Sequence, residues 1–138
     1  MSVGLKVDFL WYSIGTGSFV HSFFSTICYN LENENWGSKF PYIMNNLYEG
    51  ELNYNDVSKA KEELLIIKNE LKKFPPSKVI WDIEDLTQQP PWGNDISSDI
   101  TDLSNYFVTC YGEDLFDVLF QALHDAAEEK QNVILESL

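Results

Sequence analysis

The chain has 138 residues, of which 22 are acidic and 9 basic, and 44% of its side chains are apolar. That length suits one globular domain over residues 1–138, with apolar content enough for a core that needs neither disulfides nor a structural metal. The net charge of −13 repels phosphate backbones, which excludes nucleic-acid binding through a general basic patch and favours a basic partner.

The charge is unevenly placed. Residues 1–78 hold 9 acids and 8 lysines, whereas residues 79–138 hold 13 acids and Lys130 alone. Every base is a lysine, so bidentate guanidinium contacts and arginine-finger chemistry are excluded. Cys28 and Cys110 are too far apart for a local redox or zinc motif and are expected as reduced, buried thiols. Lys6 and Asp8 interrupt the first apolar stretch, which argues against a signal peptide, and no apolar run reaches the roughly 18 residues of a membrane span. A cytoplasmic protein is expected.

In chain order, Val3, Leu5, Val7, Phe9 and Trp11 alternate with other residues and predict a half-buried strand. After Gly15-Thr16-Gly17-Ser18, the spacing of Phe19, Phe23, Ile27 and Leu31, with Val20 and Phe24, predicts a helix with Ser18 as N-cap. Phe40 to Leu47 reads as a strand with Pro41 at its start or on an edge. Val57, Ala60, Leu64, Ile67, Leu71 and Phe74 predict an amphipathic helix, opened by a capping box of Asn53 and Asp56 and stopped by Pro75-Pro76. Val79 to Ile83 reads as a short strand, Gln88 to Ser98 as an irregular loop, and Tyr106 to Tyr111 as another strand. A helix with Phe116, Leu119, Phe120, Leu123 and Ala127 inward follows Gly112, its positive end met by Glu113 and Asp114. Val133 to Leu135 closes the chain as a strand. The order β-α-β-α-β-loop-β-α-β, without repeats, predicts a single α+β domain of about three helices on a mostly antiparallel sheet, a mixed sheet being the nearest alternative.

Catalytic patterns are scarce. Gly15-Thr16-Gly17-Ser18 has the place of an anion-binding turn, but it lacks both the third glycine of a dinucleotide fingerprint and the Lys-Ser/Thr of a P-loop; a tight strand-to-helix turn is the better explanation. His21 and His124 have no second histidine at metal-binding spacing, and Asp125 and Glu128 beside His124 read as a solvated helix face. No Ser, Cys and His spacing suggests an activated nucleophile. The strongest feature is an acidic run: Asp82, Glu84, Asp85, Asp95, Asp99 and Asp102 stand without a base between them. Its spacing fits no calcium loop, so it is either a solvated acidic surface or a partner-binding one. Trp92, inside Pro90-Pro91-Trp92-Gly93, is either an interface anchor amid these acids or a lid on the core.

Several short runs together resemble the immunity protein 70 family of bacterial polymorphic toxin systems. They are Gly37-Ser38-Lys39-Phe40-Pro41 with Met44-Asn45, Gly50-Glu51, Phe74-Pro75-Pro76, Pro90-Pro91-Trp92-Gly93, and Asn105-Tyr106-Phe107-Val108-Thr109 with Gly112 and Leu115. The chain departs from the family pattern at Lys39, where arginine is common, and at Leu52-Asn53-Tyr54, where an aromatic residue followed by Ser-Pro opens the central helix. The resemblance implies a non-enzymatic protein that binds and neutralises a cognate toxin domain, with no catalytic residues; no cofactor is expected, and the charge and hydropathy argue against nucleic acid or membrane as partner. Acidic inhibitors meet basic nuclease toxins through electrostatic steering, which places Asp82, Glu84, Asp85, Trp92, Asp95, Asp99 and Asp102 at the expected interface. Two other readings stand beside it: a small-ligand-binding or enzymatic domain with a pocket between the Gly15 to Ser18 turn and the acidic loop, and a self-associating scaffold.

Overall fold

The alternating run that opens the sequence folds back on itself. In the computed structural model, which describes residues 2–138, β1 (Ser2–Val7) and β2 (Leu10–Thr16) form an antiparallel hairpin where one strand was expected over Val3 to Trp11. Asp8 and Phe9 make the turn, with Val7 opposite Leu10. Asp8 takes a φ of 54°, a left-handed conformation that aspartate adopts more readily than most residues. Phe9 is in phase with the apolar set yet projects from the turn, 94% exposed. Gly4 is buried under the Trp11 ring, which leaves no space for a Cβ.

The sheet order is β2-β1-β4-β3, where β3 is Glu51–Leu52 and β4 is Val133–Ser137, and every pairing is antiparallel. This is the expected α+β domain. Its element order is nevertheless β-β-α-π-β-α-α-β, because the first strand splits in two, β3 is added, and three expected strands do not form.

Residues 42–47 form a π-helix instead of a strand. Two carboxylates from other elements take up the backbone N–H groups before and at its start. Glu32, buried at the end of α1 (Gly17–Leu31), accepts the N–H groups of Gly37, Lys39 and Phe40 at 3.0, 2.9 and 2.9 Å. Glu63, on α2 (Val57–Leu71), accepts those of Tyr42 and Ile43 at 3.3 and 2.9 Å, so the start of the π-helix is capped by a neighbouring helix. Val79 to Ile83 starts extended but bends at Trp81, turns at Ile83 and pairs with no strand; hydroxyls of α1 take its polar groups instead. Tyr106 to Tyr111 contributes a single bridge, Val108 to Asp114, because the turn at Gly112 leads straight into α3 (Leu115–Glu129).

The three α-helices follow the predicted periods, with corrections at their ends. Gly17 is already helical, so Thr16 rather than Ser18 is the N-cap of α1, its hydroxyl accepting the Phe19 N–H at 3.2 Å. α2 buries Val57, Ala60, Leu64, Ile67 and Leu71, while Phe74 lies beyond its end. The expected capping box is absent: Asn53 caps a short 3-10 turn over Tyr54–Asp56, and Asp56 makes no side-chain cap bond. α3 starts at Asp114, whose carboxylate accepts the Phe116 N–H at 2.8 Å. Its buried face holds Leu115, Phe116, Leu119, Ala122, Leu123 and Ala126; Phe120 is half-buried and Ala127 exposed, against expectation.

Between the sheet and the loop that follows α2, α1 is buried on almost every side. Phe23 sits at the centre of the core, edge-on to Phe24, Phe107 and Phe116 at 5.3–5.4 Å. Cys28 is buried, as expected, but Cys110 is exposed. Both are free thiols. Among the described residues, no helix is long and apolar enough to cross a membrane.

Candidate functional site

The acidic loop is fastened to α1 by small polar side chains. Ile80 C=O accepts the hydroxyls of Ser22 at 2.8 Å and Thr26 at 3.2 Å, Ile80 N–H donates to Thr26 Oγ1 at 3.0 Å, and Ile83 N–H donates to Ser25 Oγ at 3.2 Å. Ser22, Ser25 and Thr26 are fully buried, so the loop spends its own backbone groups satisfying them. At its far end the Leu103 N–H donates to Phe74 C=O at 3.0 Å. In the sequence these three hydroxyls show only as a polar stripe on an otherwise apolar helix.

His21 adds a further tether. A carboxylate only accepts, so His21 Nε2–H donates to Asp82 Oδ1 at 3.2 Å, while Nδ1 is hydrogen-bonded to the Tyr48 hydroxyl at 2.8 Å. The His21 ring also stacks on Trp36, with centroids 6.2 Å apart. Burial first, and the charges of Glu84 and Asp82 after it, raise the Tyr48 phenol above its ordinary value.

The six carboxylates therefore do different work. Asp82 is bound to His21, and Glu84 faces Tyr48 closely enough to perturb it. Asp85 is held below its ordinary value by the Thr87 hydroxyl, the Gln88 amide and the Thr87 N–H. At Asp102 burial raises the carboxyl, but bonds from the Ser104 hydroxyl and N–H and from the Thr101 hydroxyl outweigh it, with Lys72 nearby in support. Asp95 and Asp99 are exposed. Among the described residues, no group of three or more His, Cys, Asp or Glu side chains is arranged to hold a metal.

Trp92 packs onto the core and keeps an open face. Its indole N–H donates to the Tyr106 hydroxyl at 2.8 Å and its ring meets Trp81 edge-on at 5.4 Å, yet 37% of the residue stays exposed. It borders a groove of about 380 Å³ whose other apolar walls are Phe19, Ile96, Ile100, Tyr106 and Val108, with Asp95 on the lip. The groove joins the first turn of α1 to the acidic loop, an apolar slot that the sequence did not disclose because its walls come from three separate segments. The Gly15 to Ser18 run, by contrast, is no separate turn: β2 ends at Thr16 and α1 begins at Gly17. His124 and Glu128 are exposed as expected, while Asp125 accepts the Tyr12 O–H.

The runs that carry the family resemblance are joints of the fold. Gly37 has a φ of 78° and lies against the Asn45 carboxamide, Phe40 is tied to Glu32, Phe74 receives Leu103, and Trp92 is bonded to Tyr106. No curated protein and no solved structure matches the chain. A family model described as Immunity protein 70 matches residues 5–135, nearly the whole sequence, and the chain belongs to that family.

Proposed function

We propose that this protein is a non-enzymatic immunity protein that acts in the cytoplasm, binding a cognate toxin domain and occluding its active site. Its contact surface is the acidic loop, with Asp82, Glu84, Asp85, Asp95, Asp99 and Asp102 around Trp92. The observation that carries this reading is the groove beside Trp92, an apolar slot with a carboxylate on its lip and a pre-positioned aromatic at its edge. A held aromatic loses little freedom on binding, and exposed acids around it accelerate encounter with a cationic surface. With a net charge of −13, the favoured partner is basic, and a nuclease toxin with a cationic nucleic-acid groove is the class that fits.

Affinity capture from the native organism at low and high salt, followed by mass spectrometry, tests the proposal. Recovery of the carboxy-terminal domain of a secreted toxin, declining as salt rises and abolished by charge reversal at Asp95, Asp99 and Asp102, is the expected result. Salt-resistant recovery keeps the immunity role and moves the interface away from the acids. Failure to recover any toxin while nucleotides or divalent ions raise the melting temperature overturns the reading in favour of a ligand-binding domain.

A further inference from the structure

β2 is an edge strand, and most of its outer side is open. Among the described residues, Leu10 to Ser13 make backbone-to-backbone bonds with β1 alone, and the outer side of the strand is met only at Ile14, whose C=O accepts the Cys110 N–H at 2.9 Å. Natural edges are usually protected by lysine, proline, a bulge or a cover. The open part of β2 carries neither lysine nor proline, and the register shift that marks a bulge lies opposite Val3 and Gly4, toward the covered end. The surroundings are apolar and exposed: Leu10 is 46% accessible and Tyr111 76%.

Beside this edge lies a groove of about 530 Å³ between β2 and α3, lined by Trp11, Tyr12, Tyr111, Glu113, Asp117 and Gln121 among others. No base is among its walls. Unpaired backbone groups select an extended chain, carboxylates select cations, and Trp11 with Tyr111 offers aromatic faces to alkylammonium or guanidinium side chains.

We propose that the open edge of β2 pairs with an extended segment of a partner polypeptide bearing lysine or arginine at alternate positions, adding a strand to the sheet while the basic side chains meet Glu113 and Asp117. The identity of that partner as the toxin rests on the reading above; the chemistry of the edge does not. A second copy of this chain fits poorly, because β2 contains no base to face those carboxylates.

The test follows backbone amide resonances of the whole protein during titration with a synthetic hexapeptide of alternating lysine and valine. The expected result is saturable shifts confined to Leu10 to Ser13, Tyr111, Glu113 and Asp117, absent with a backbone N-methylated peptide and with its glutamate-valine counterpart. The Glu113→Gln/Asp117→Asn protein, both positions being exposed, should bind the basic peptide at least tenfold more weakly. Shifts that persist with the N-methylated peptide, shifts at the Trp92 groove instead, or no shift at millimolar peptide overturn the proposal, as does self-association through the same edge in light scattering. Peptide binding at the edge without capture of a toxin leaves this inference standing and removes the toxin reading; capture of a toxin by a protein whose edge binds no peptide does the reverse.

Discussion

The Glu32 carboxylate reaches forward to the backbone N–H of Phe40 at 2.9 Å, and on the way also accepts those of Gly37 and Lys39. One buried side chain thus satisfies three donors of a loop that has no strand or helix of its own to bond with. Glu32→Ala strands all three and should destabilise the protein by about 3 kcal/mol, while Glu32→Gln, which keeps one acceptor oxygen, should lose about half as much. Urea denaturation of the three proteins measures this; equal losses for both variants would show that the carboxylate charge, and not the number of acceptors, is what matters.

Gly37 and Gly112 separate two sources of strain. Both have positive φ, 78° and 79°, but a Cβ on Gly37 collides with the Asn45 carboxamide whereas one on Gly112 meets nothing within 4 Å. Gly112→Ala should therefore lose about 1 kcal/mol from backbone conformation alone, and Gly37→Ala roughly twice that or more. Thermal unfolding gives the ranking, and the reverse order would contradict the packing around Asn45.

At Trp92 stability and binding should part company. Truncation to alanine removes a half-exposed ring and one hydrogen bond, about 1–2 kcal/mol of stability, but it also removes the wall of the groove and should weaken toxin binding by 2 kcal/mol or more. Trp92→Phe keeps the ring without the bond to Tyr106 and should recover most of the affinity. Calorimetric titration against the captured toxin domain distinguishes anchor from lid: unchanged affinity in Trp92→Ala means that the residue only covers the core.

Glu63 gives a pH dependence of defined sign. Burial raises its carboxyl above the ordinary 4.5, and the N–H groups of Ile43 and Tyr42 offset this only in part. A raised acid favours the folded state when protonated, so its contribution is complete below the unfolded value and declines as pH rises through the folded one. The stability of the wild type relative to Glu63→Gln should accordingly fall as pH rises above the ordinary 4.5. A difference that stays flat there would mean that Glu63 has the same affinity for protons in both states.

How much of this was legible beforehand depends on the distance over which each element is determined. The three α-helices are local: Leu64, Ile67 and Leu71 fall on one face of α2 and are buried there. The hairpin is hidden in the sequence because Phe9 keeps the alternation going through a turn at which it is exposed. The π-helix has the apolar pattern of a strand because its cap, Glu63, stands on another helix, and Val79 to Ile83 has the alternation of a strand although its backbone groups bond to hydroxyls of α1 and not to a neighbouring strand. For the site, an aromatic amid acids marked Trp92 and the carboxylates from composition alone; the slot beside them needed Phe19, Ile96 and Ile100 to converge, which no local pattern encodes.

The position of β4 bears on when the protein becomes competent. Its residues form the middle of the sheet, with Val3 facing Ser137 on one side and Leu52 facing Val133 on the other. Until that segment has emerged, the hairpin made first has an unfilled flank and β3 has no partner at all. Cooperative closure must span nearly the entire chain, which slows folding relative to a domain of neighbouring pairs. Such a sheet closes late, so its hairpin and β3 stay unpaired for longer than they would in a domain of neighbouring pairs.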